Sequence, residues 1–234
     1  MNWGSMAEVR DNALLLRRIP YSDTSLVCHF LTGEHGRIAL MARGARRAKS
    51  PFRGALEPLY LLNIRWRMGR TGMGTLVDVE RGSRLLNEVQ DLDGLELCAL
   101  ASGLFQEGDP HGYNELVDVM AVMRDRPADS ALYCAVWRLL ELSGWVSGFE
   151  HCWICGSKVD ATHPMVWHEN QLACSSCGKG IILSAGTRKG IAAHLHRSNI
   201  RLSQQDLSSW RRMIQDVLRQ HGVRPLSSTG QEQE

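Results

Sequence analysis

The stretch RIALMARGARRAKSPFRGALEPLYLLNI, residues 37–64, places a basic segment between two apolar ones. RIALMARGA at its start and LYLLNI at its end have the composition of short β-strands, and the residues between them favour turns. The basic segment, residues 42–58, reads ARGARRAKSPFRGALEP and has five cations before its first acid, Glu57. These cations are Arg43, Arg46, Arg47, Lys49 and Arg53. The stretch therefore predicts two strands joined by a strongly basic connection.

Three further segments also have the pattern of β-strands: ALLLRRI and SLVCHFLT before this stretch, and GTLVDVE after it. GEHG at residues 33–36 predicts a hairpin turn before RIALMARGA, and GRTGMG at residues 69–74 predicts another after NIRWRM. The second turn lacks the lysine and the spacing of a phosphate-binding loop. Five short strands between about residues 12 and 83 fit a small β-barrel.

Alternation within the strands separates an apolar face from a cationic one, because successive side chains point to opposite sides of a sheet. In NIRWRM the apolar side chains share one face: Ile64, Trp66 and Met68. Arg65 and Arg67 then point to the other face, as do Arg37 and Arg43 in RIALMAR. The barrel is thus predicted to carry arginines on its outside, next to the basic segment.

After residue 85 the apolar residues recur at spacings of three and four, which is typical of helices with one buried face. LELCALASGLFQ, YNELVDVMAVMRD and DSALYCAVWRLLELSGW are three such segments. A fourth, SQQDLSSWRRMIQDVLRQ, begins with Ser203 and Asp206 at capping-box spacing and ends before Gly222. The sequence therefore predicts an α+β fold, with a barrel domain at residues 1–83 and a helical domain at residues 84–234.

The net charge of +2 is unevenly distributed along the 234 residues. Residues 1–80 carry 12 basic and 7 acidic side chains, residues 81–150 carry 5 and 12, and residues 151–234 carry 10 and 6. Such segregation indicates surfaces with different partners, although solvated loops and helix faces would give the same counts. No apolar run approaches the roughly 20 residues of a membrane span, and no secretory signal is present, so we expect a cytoplasmic protein.

Four of the seven cysteines form two pairs, Cys152-x2-Cys155 and Cys174-x2-Cys177, with 18 residues between the pairs. This spacing is typical of a zinc site, because one tight turn places two thiolates on the same ion. Four thiolates close the coordination shell and leave no position for a catalytic water. The pattern therefore predicts a structural Zn2+ in a module at residues 148–185. Two disulfides or a redox-active pair are the alternatives.

The residues around these pairs give three further expectations. Gly156 and Gly178, one after each pair, are expected to adopt the left-handed backbone that such turns often need. The remaining cysteines lie in apolar segments and are expected to be buried small side chains: Cys28, Cys98 and Cys134. Motifs of serine hydrolases, zinc proteases, P-loop enzymes and zinc deaminases are absent from the sequence. We therefore do not expect an enzyme, and a zinc-dependent hydrolase is the disfavoured alternative.

Several of these segments together resemble the RecO family of bacterial recombination mediators. The stretch at residues 37–64 is similar to the basic region of that family, and YSDTSLVCHFLTGEHGRI resembles the strand pair before it. WRLLELSGWVSGFEHCWICG, CSSCGKG and RQHGVRPLSS are similar to later parts of the family. The resemblance extends from about residue 8 to residue 226, and the basic region is its most specific part.

The resemblance implies an N-terminal OB-fold, a helical domain and an embedded four-cysteine zinc module. It also implies binding to single- and double-stranded DNA, annealing of complementary strands, and contacts with RecR and with the C-terminal tail of the single-strand-binding protein SSB. With RecR, the family helps to load RecA onto SSB-coated DNA, and it is functionally linked to RecF. No nucleotide hydrolysis is implied, and the expected location is the bacterial cytoplasm, in association with the nucleoid.

Carried over residue by residue, the basic region of the family implies DNA contacts from Arg43, Arg46, Arg47, Lys49 and Arg53. The outward strand faces add three candidates: Arg37, Arg65 and Arg67. Such cations bind DNA with little sequence preference, because they neutralise phosphates and release counterions. Phe52 and Tyr60 are candidates for base stacking, whereas Trp66 is expected in the core. An interaction adaptor, whose basic face binds an acidic protein, is the alternative function.

Overall fold

The computed structural model describes residues 8–69, 73–126, 128–196 and 202–227, and the chain divides into two units, Met1–Arg124 and Asp125–Glu234. The first unit has five strands: β1 (Glu8–Tyr21), β2 (Ser25–Thr32), β3 (Gly36–Ala42), β4 (Tyr60–Arg67) and β5 (Gly74–Arg84). They close into a barrel in the order β1-β2-β3-β5-β4, in which β1 pairs with both β2 and β4. The pairings are antiparallel except for a short parallel one between β3 and β5. The barrel confirms the five predicted strands and the predicted OB-fold.

The barrel interior is filled by the apolar faces of these strands. Leu15, Phe30, Leu40 and Ile64 are all buried in one core cluster, and Trp66 joins them as predicted. Met68 differs from the prediction: it follows the last residue of β4 and is 50% exposed, so it does not share the inner face. Alternation therefore sorts side chains correctly within a strand and fails where the strand ends.

The hairpin predicted at residues 33–36 joins β2 to β3, and Gly36 is its critical residue. Gly36 has φ +64°, and a Cβ atom there would lie 1.7 Å from the carbonyl oxygen of Asp109. Glycine is therefore required both for the left-handed backbone and for the close approach of another segment. The second predicted turn, GRTGMG, includes residues 70–72, which lie outside the described residues.

We expect Gly36→Ala to lower the free energy of unfolding by about 3 kcal/mol or more, because backbone atoms cannot move aside cheaply. Gly108→Ala is the control. Gly108 also has a positive φ, +79°, but an added Cβ would meet no heavy atom within 4 Å. That variant should lose only about 1 kcal/mol, the cost of the backbone conformation. Equal losses in urea unfolding of the two variants would contradict the steric explanation.

Helices complete both units. The first unit continues with a 3-10 helix (Glu88–Gln90), α1 (Asp91–Leu104) and α2 (Tyr113–Arg124), and α1 lies against β1. The division between the units falls after Arg124, and the domain boundary placed at residue 83 stays a prediction. None of the helices in the described ranges is both long and apolar enough to span a lipid bilayer.

The second unit combines helices with a small antiparallel sheet. Its elements are α3 (Ala128–Leu142), β6 (Met165–His168), β7 (Gln171–Cys174), β8 (Ile181–Leu183), α4 (Ala185–Leu195) and α5 (Gln204–Gln220). The sheet has the strand order β7-β6-β8. Ser203 and Asp206 form the predicted capping box at the start of α5, and Gly222 follows the helix with φ +68°. Trp137 of α3 is fully buried in the core of this unit.

Candidate nucleic-acid interface and metal centre

The basic segment is a sequence of turns between β3 and β4 that is fixed to the barrel at several points. Backbone hydrogen bonds link Arg47 N to Gly44 O (3.0 Å) and Ser50 N to Arg47 O (3.0 Å). The amide of Arg46 donates to the carbonyl oxygen of Thr24 at 2.8 Å, which ties the segment to the barrel. Three apolar side chains anchor it in the barrel core: Ala45, Phe52 and Leu56. The backbone that carries the cations is therefore held in one conformation.

All five predicted cations of the basic segment are exposed: Arg43, Arg46, Arg47, Lys49 and Arg53. The guanidinium of Arg46 donates to the carbonyl oxygen of Ser22 at 2.9 Å. The acid at the end of the segment, Glu57, pairs instead with Arg18 at 3.3 Å. Within the described part of the chain, no carboxylate lies within 4.0 Å of any of the five cations. Their positive charge is therefore available to a ligand.

The three additional candidates on the strands are engaged within the chain. Arg65 donates to Glu8 at 2.8 Å and to Asp78 at 3.3 Å, and Arg67 donates from Nε to Glu8 at 2.8 Å. Hydrogen bonds from Arg67 and Arg65 lower the pKa of the Glu8 carboxyl. Arg37 donates to the carbonyl oxygen of Ser102 at 2.6 Å. DNA contacts from these three arginines stay a prediction, and they would require competition with existing partners.

The aromatic candidates lie in different surroundings. Phe52 is only 8% exposed and packs in the barrel core, so it is not an exposed platform for stacking. Tyr60 is half-buried, and the guanidinium of Arg81 lies over its ring at 4.7 Å. Alternation did not indicate the burial of Phe52, because the residue lies in a turn segment, where side-chain direction has no regular period.

The four predicted metal ligands come together in the second unit. Cys152 and Cys155 lie in a turn before β6, Cys174 is the last residue of β7, and Cys177 follows it. Their Sγ atoms all lie within 4.8 Å of one another. The amide of Trp153 donates to the carbonyl oxygen of Leu172 at 2.9 Å and so joins the first turn to β7.

The two turns have similar hydrogen bonds but use their glycines differently. Gly156 N donates to Cys152 O at 2.9 Å, and Gly178 N donates to Cys174 O at 3.0 Å. Gly156 has the expected left-handed backbone, with φ +70°. Gly178 is not among the residues with positive φ, so this expectation was wrong. A glycine is needed at position 178 for steric reasons, because a Cβ atom there would lie 2.8 Å from the Cβ of Ala173.

The donor set fits a tetrahedral metal ion. Zinc–sulfur bonds of about 2.3 Å place the sulfur atoms about 3.8 Å apart, so the cluster needs only a small contraction to bind Zn2+. Hydrogen bonds with the thiols of Cys174 and Cys155 raise the pKa of Cys177 to about 12. Burial also opposes ionisation of Cys152, but backbone amide donors outweigh it and lower its pKa to about 6. A bound cation would stabilise all four residues as thiolates.

The chain between the two cysteine pairs is held by one arginine that the sequence did not single out. Arg188 of α4 is 4% exposed and donates to three carbonyl oxygens: Val159 at 2.5 Å, Asp160 at 2.9 Å and His163 at 2.6 Å. Charged donors form the stronger hydrogen bonds, and here one buried guanidinium serves three partly buried acceptors. Arg188 therefore fixes the loop that separates the two halves of the metal centre.

We expect Arg188→Ala to lower the free energy of unfolding of the second unit by about 3 kcal/mol, because three partly buried acceptors lose a charged donor. Lys189→Ala, at the exposed neighbouring position, is the control and should change it by less than about 0.5 kcal/mol. Thermal and urea unfolding followed by circular dichroism would measure both. Similar stabilities of the two variants would show that the loop does not depend on Arg188.

The remaining cysteines are buried, as predicted: Cys28, Cys98 and Cys134. Burial raises the pKa of Cys28 and Cys98 to about 12 and that of Cys134 to about 11. These side chains therefore remain neutral thiols at physiological pH and act as small apolar groups.

Comparisons with known proteins agree with the resemblance seen in the sequence. The family described as Recombination protein O N terminal matches residues 6–82, and Recombination protein O C terminal matches residues 94–230. The DNA repair protein RecO of Acidithiobacillus ferrooxidans is 34% identical over 168 residues, which cover 68% of this chain and 64% of the relative. That of Proteus mirabilis is 32% identical over 166 residues, covering 68% and 67%. That of Actinobacillus pleuropneumoniae serotype 3 is 30% identical over 179 residues, covering 71% of each chain. The chain therefore belongs to the RecO family of DNA repair proteins.

Proposed function

We propose that this chain is a recombination mediator that binds single- and double-stranded DNA through the basic segment. In this proposal it anneals complementary strands and, with RecR, helps to load RecA onto SSB-coated single-stranded DNA. The observation that carries the proposal is the set of five exposed cations without carboxylate partners in the described part of the chain. They are Arg43, Arg46, Arg47, Lys49 and Arg53, with Arg37, Arg65 and Arg67 as secondary contacts.

Annealing follows from contacts of this kind. Two DNA strands repel one another through their phosphates, so a protein that neutralises both backbones lowers the barrier to pairing. Cations directed at the backbone leave the base edges free to find their complements. No step in this process requires bond cleavage, which agrees with a mediator that binds DNA and is not an enzyme.

The cysteine cluster has a structural role in the proposal. Zn2+ bound by Cys152, Cys155, Cys174 and Cys177 would have a closed shell of four thiolates and no position for a reacting water. The metal would stabilise the small sheet of the second unit, which has few strand pairings of its own. The zinc hydrolase alternative requires an open coordination position, and this donor set leaves none once all four sulfur atoms bind.

A second candidate function, an interaction adaptor, is favoured by a groove on α5. The groove has a volume of about 600 Å3 and is lined by Arg211 and Arg212, and by Arg219, which pairs with Asp216 at 3.0 Å. Ile181 lies at the same groove and is exposed, and the neighbouring Ile182 is 72% exposed. Cations next to exposed apolar side chains suit an acidic peptide with apolar residues, such as the tail of SSB. RecR and RecF would complete the set of protein partners, in the bacterial nucleoid.

The experiment that tests the proposed function is binding of a labelled single-stranded oligonucleotide to the natural protein across a salt series. Five phosphate contacts predict a slope of log affinity against log salt of about −3.5, at roughly 0.7 per contact. An unlabelled acidic peptide with an apolar C-terminal residue then serves as competitor. If the oligonucleotide does not bind at low salt, the mediator proposal is wrong. Complete displacement by the peptide would mean that DNA and the acidic peptide share one basic surface, whereas binding of both at once would agree with a separate peptide site on α5.

A further inference from the structure

A groove lies directly beside the basic segment on the barrel. Its volume is about 380 Å3, and its apolar lining includes Ala45, Phe52 and Leu56. Three arginines also line it: Arg18, Arg46 and Arg53. Such a volume is near the lower end of the roughly 300–1,000 Å3 of small-ligand pockets, which leaves room for one planar ring system. The groove therefore joins a small apolar floor, formed by the exposed edges of largely buried side chains, to a cluster of exposed cations.

Two of the three arginines of the groove, Arg18 and Arg46, are already oriented before any ligand binds. Arg18 donates to the carbonyl oxygen of Leu56 at 2.8 Å and pairs with Glu57, and Arg46 donates to the carbonyl oxygen of Ser22 at 2.9 Å. Arg53 has no carboxylate within 4.0 Å among the described residues. Guanidinium groups bind phosphate oxygens through several donors and also stack on flat rings. Arginines held by the chain lose little conformational entropy when they bind.

We propose that this groove binds one unstacked nucleobase, whose neighbouring phosphates are bound by Arg46 and Arg53. A nucleotide complements this groove in two ways. Its flat ring has apolar faces, and an anionic phosphate lies next to the ring. Among the described residues, one carboxylate, that of Glu57, lies within 4.0 Å of any of the three arginines, so the groove attracts an anion. The inference rests on the proposed function, since it assigns a base-binding position within the same DNA site.

The groove would give the protein a preference that charge alone does not provide. Double-stranded DNA has the higher density of phosphates, so a purely cationic surface binds it at least as well as a single strand. Bases within a duplex are paired and stacked, and they enter a pocket only after they are unpaired. Bases of a single strand are available at little cost. A base-binding groove therefore raises the affinity for single-stranded DNA relative to that for double-stranded DNA.

The test compares two labelled oligomers of equal length and charge, one of thymidine nucleotides and one of abasic sugar-phosphate units. The natural protein should bind the thymidine oligomer about tenfold more tightly, because one base gains stacking and apolar contact. Ala48→Trp fills the groove from an exposed position on its lining and should reduce the ratio of the two affinities toward one. Ala99→Trp, at an exposed position of α1, is the control and should keep the natural ratio.

The two proposals fail in distinguishable ways in this experiment. Equal affinity of the natural protein for both oligomers, with a steep salt dependence, would overturn the base-binding groove and leave the DNA site intact. Absence of binding to both oligomers at low salt would overturn the proposed function. A ratio that stays at about ten in Ala48→Trp would show that bases are recognised elsewhere, and this too would overturn the groove. The measurement on the natural protein does not depend on how the variants fold.

Discussion

Replacing Cys152 by alanine is expected to abolish binding of the proposed Zn2+ and to unfold residues 148–185 before the rest of the chain. Structural zinc sites with sulfur ligands contribute on the order of 10 kcal/mol to small folding units. The sheet of this region is small, with three strands of three or four residues, and Arg188 holds only the loop between the cysteine pairs. Loss of one of four thiolates opens the coordination shell and leaves three crowded sulfur atoms. We expect cleavage by protease within residues 148–185 at temperatures where the natural protein resists.

The control for this variant is Cys134→Ala. Cys134 is buried in α3 of the same unit and is not a member of the cysteine cluster. Its replacement removes one small apolar side chain and should cost about 1 kcal/mol without loss of metal. Metal content, thermal unfolding and limited proteolysis would be measured for both variants. If Cys152→Ala retained the melting profile and the protease resistance of the natural chain, a structural role of the metal would be excluded.

Removing three cations of the basic segment together is expected to weaken binding of single-stranded DNA by about a hundredfold at low salt. The variant is Arg46→Ala, Arg47→Ala, Lys49→Ala, and each lost contact is worth on the order of 1 kcal/mol. The slope of log affinity against log salt should become shallower by about 2, since each phosphate contact contributes about 0.7. All three side chains are exposed, so the barrel should remain folded.

The control triple variant removes the same number of positive charges from the second unit. Arg138, Lys179 and Lys189 are all exposed, and their replacement by alanine lowers the net charge by the same amount. A general electrostatic attraction would weaken equally in both triple variants, whereas a local DNA site would weaken only in the first. An unchanged slope in the first variant would assign the basic segment to a partner other than DNA.

The elements that the sequence predicted correctly are those whose signals are local. Alternation in NIRWRM placed Ile64 and Trp66 inside the barrel, and the spacing of Ser203 and Asp206 located the start of α5. The cysteine cluster could be predicted from the spacing of the two pairs and the general geometry of tight turns. In each case neighbours within a few residues determine the result, and these neighbours can be read directly from the sequence.

The features that the sequence did not indicate depend on contacts between distant residues. Arg65 of β4 pairs with Glu8 of β1, which lies 57 residues earlier in the sequence, and no local pattern indicates that pairing. Arg188 lies in a segment that resembles a basic surface, yet it is buried because three carbonyl groups of another loop need a donor. Charge counting therefore overestimates the free cations of this chain. The basic segment, whose acid pairs with Arg18, keeps its excess of positive charge.

The parallel pairing of β3 and β5 is the shortest join in the barrel wall, with Leu40 opposite Gly74 and Met41 opposite Thr75. The paired residues are separated in sequence by the basic segment and β4. Closing this long loop therefore costs conformational entropy, and the short pairing returns few hydrogen bonds. β1, β2 and β3 are joined by short turns, and their ladders can form early in folding. The basic segment lies within the stretch of chain that this pairing closes, so closing the barrel also restricts the conformations open to its cations.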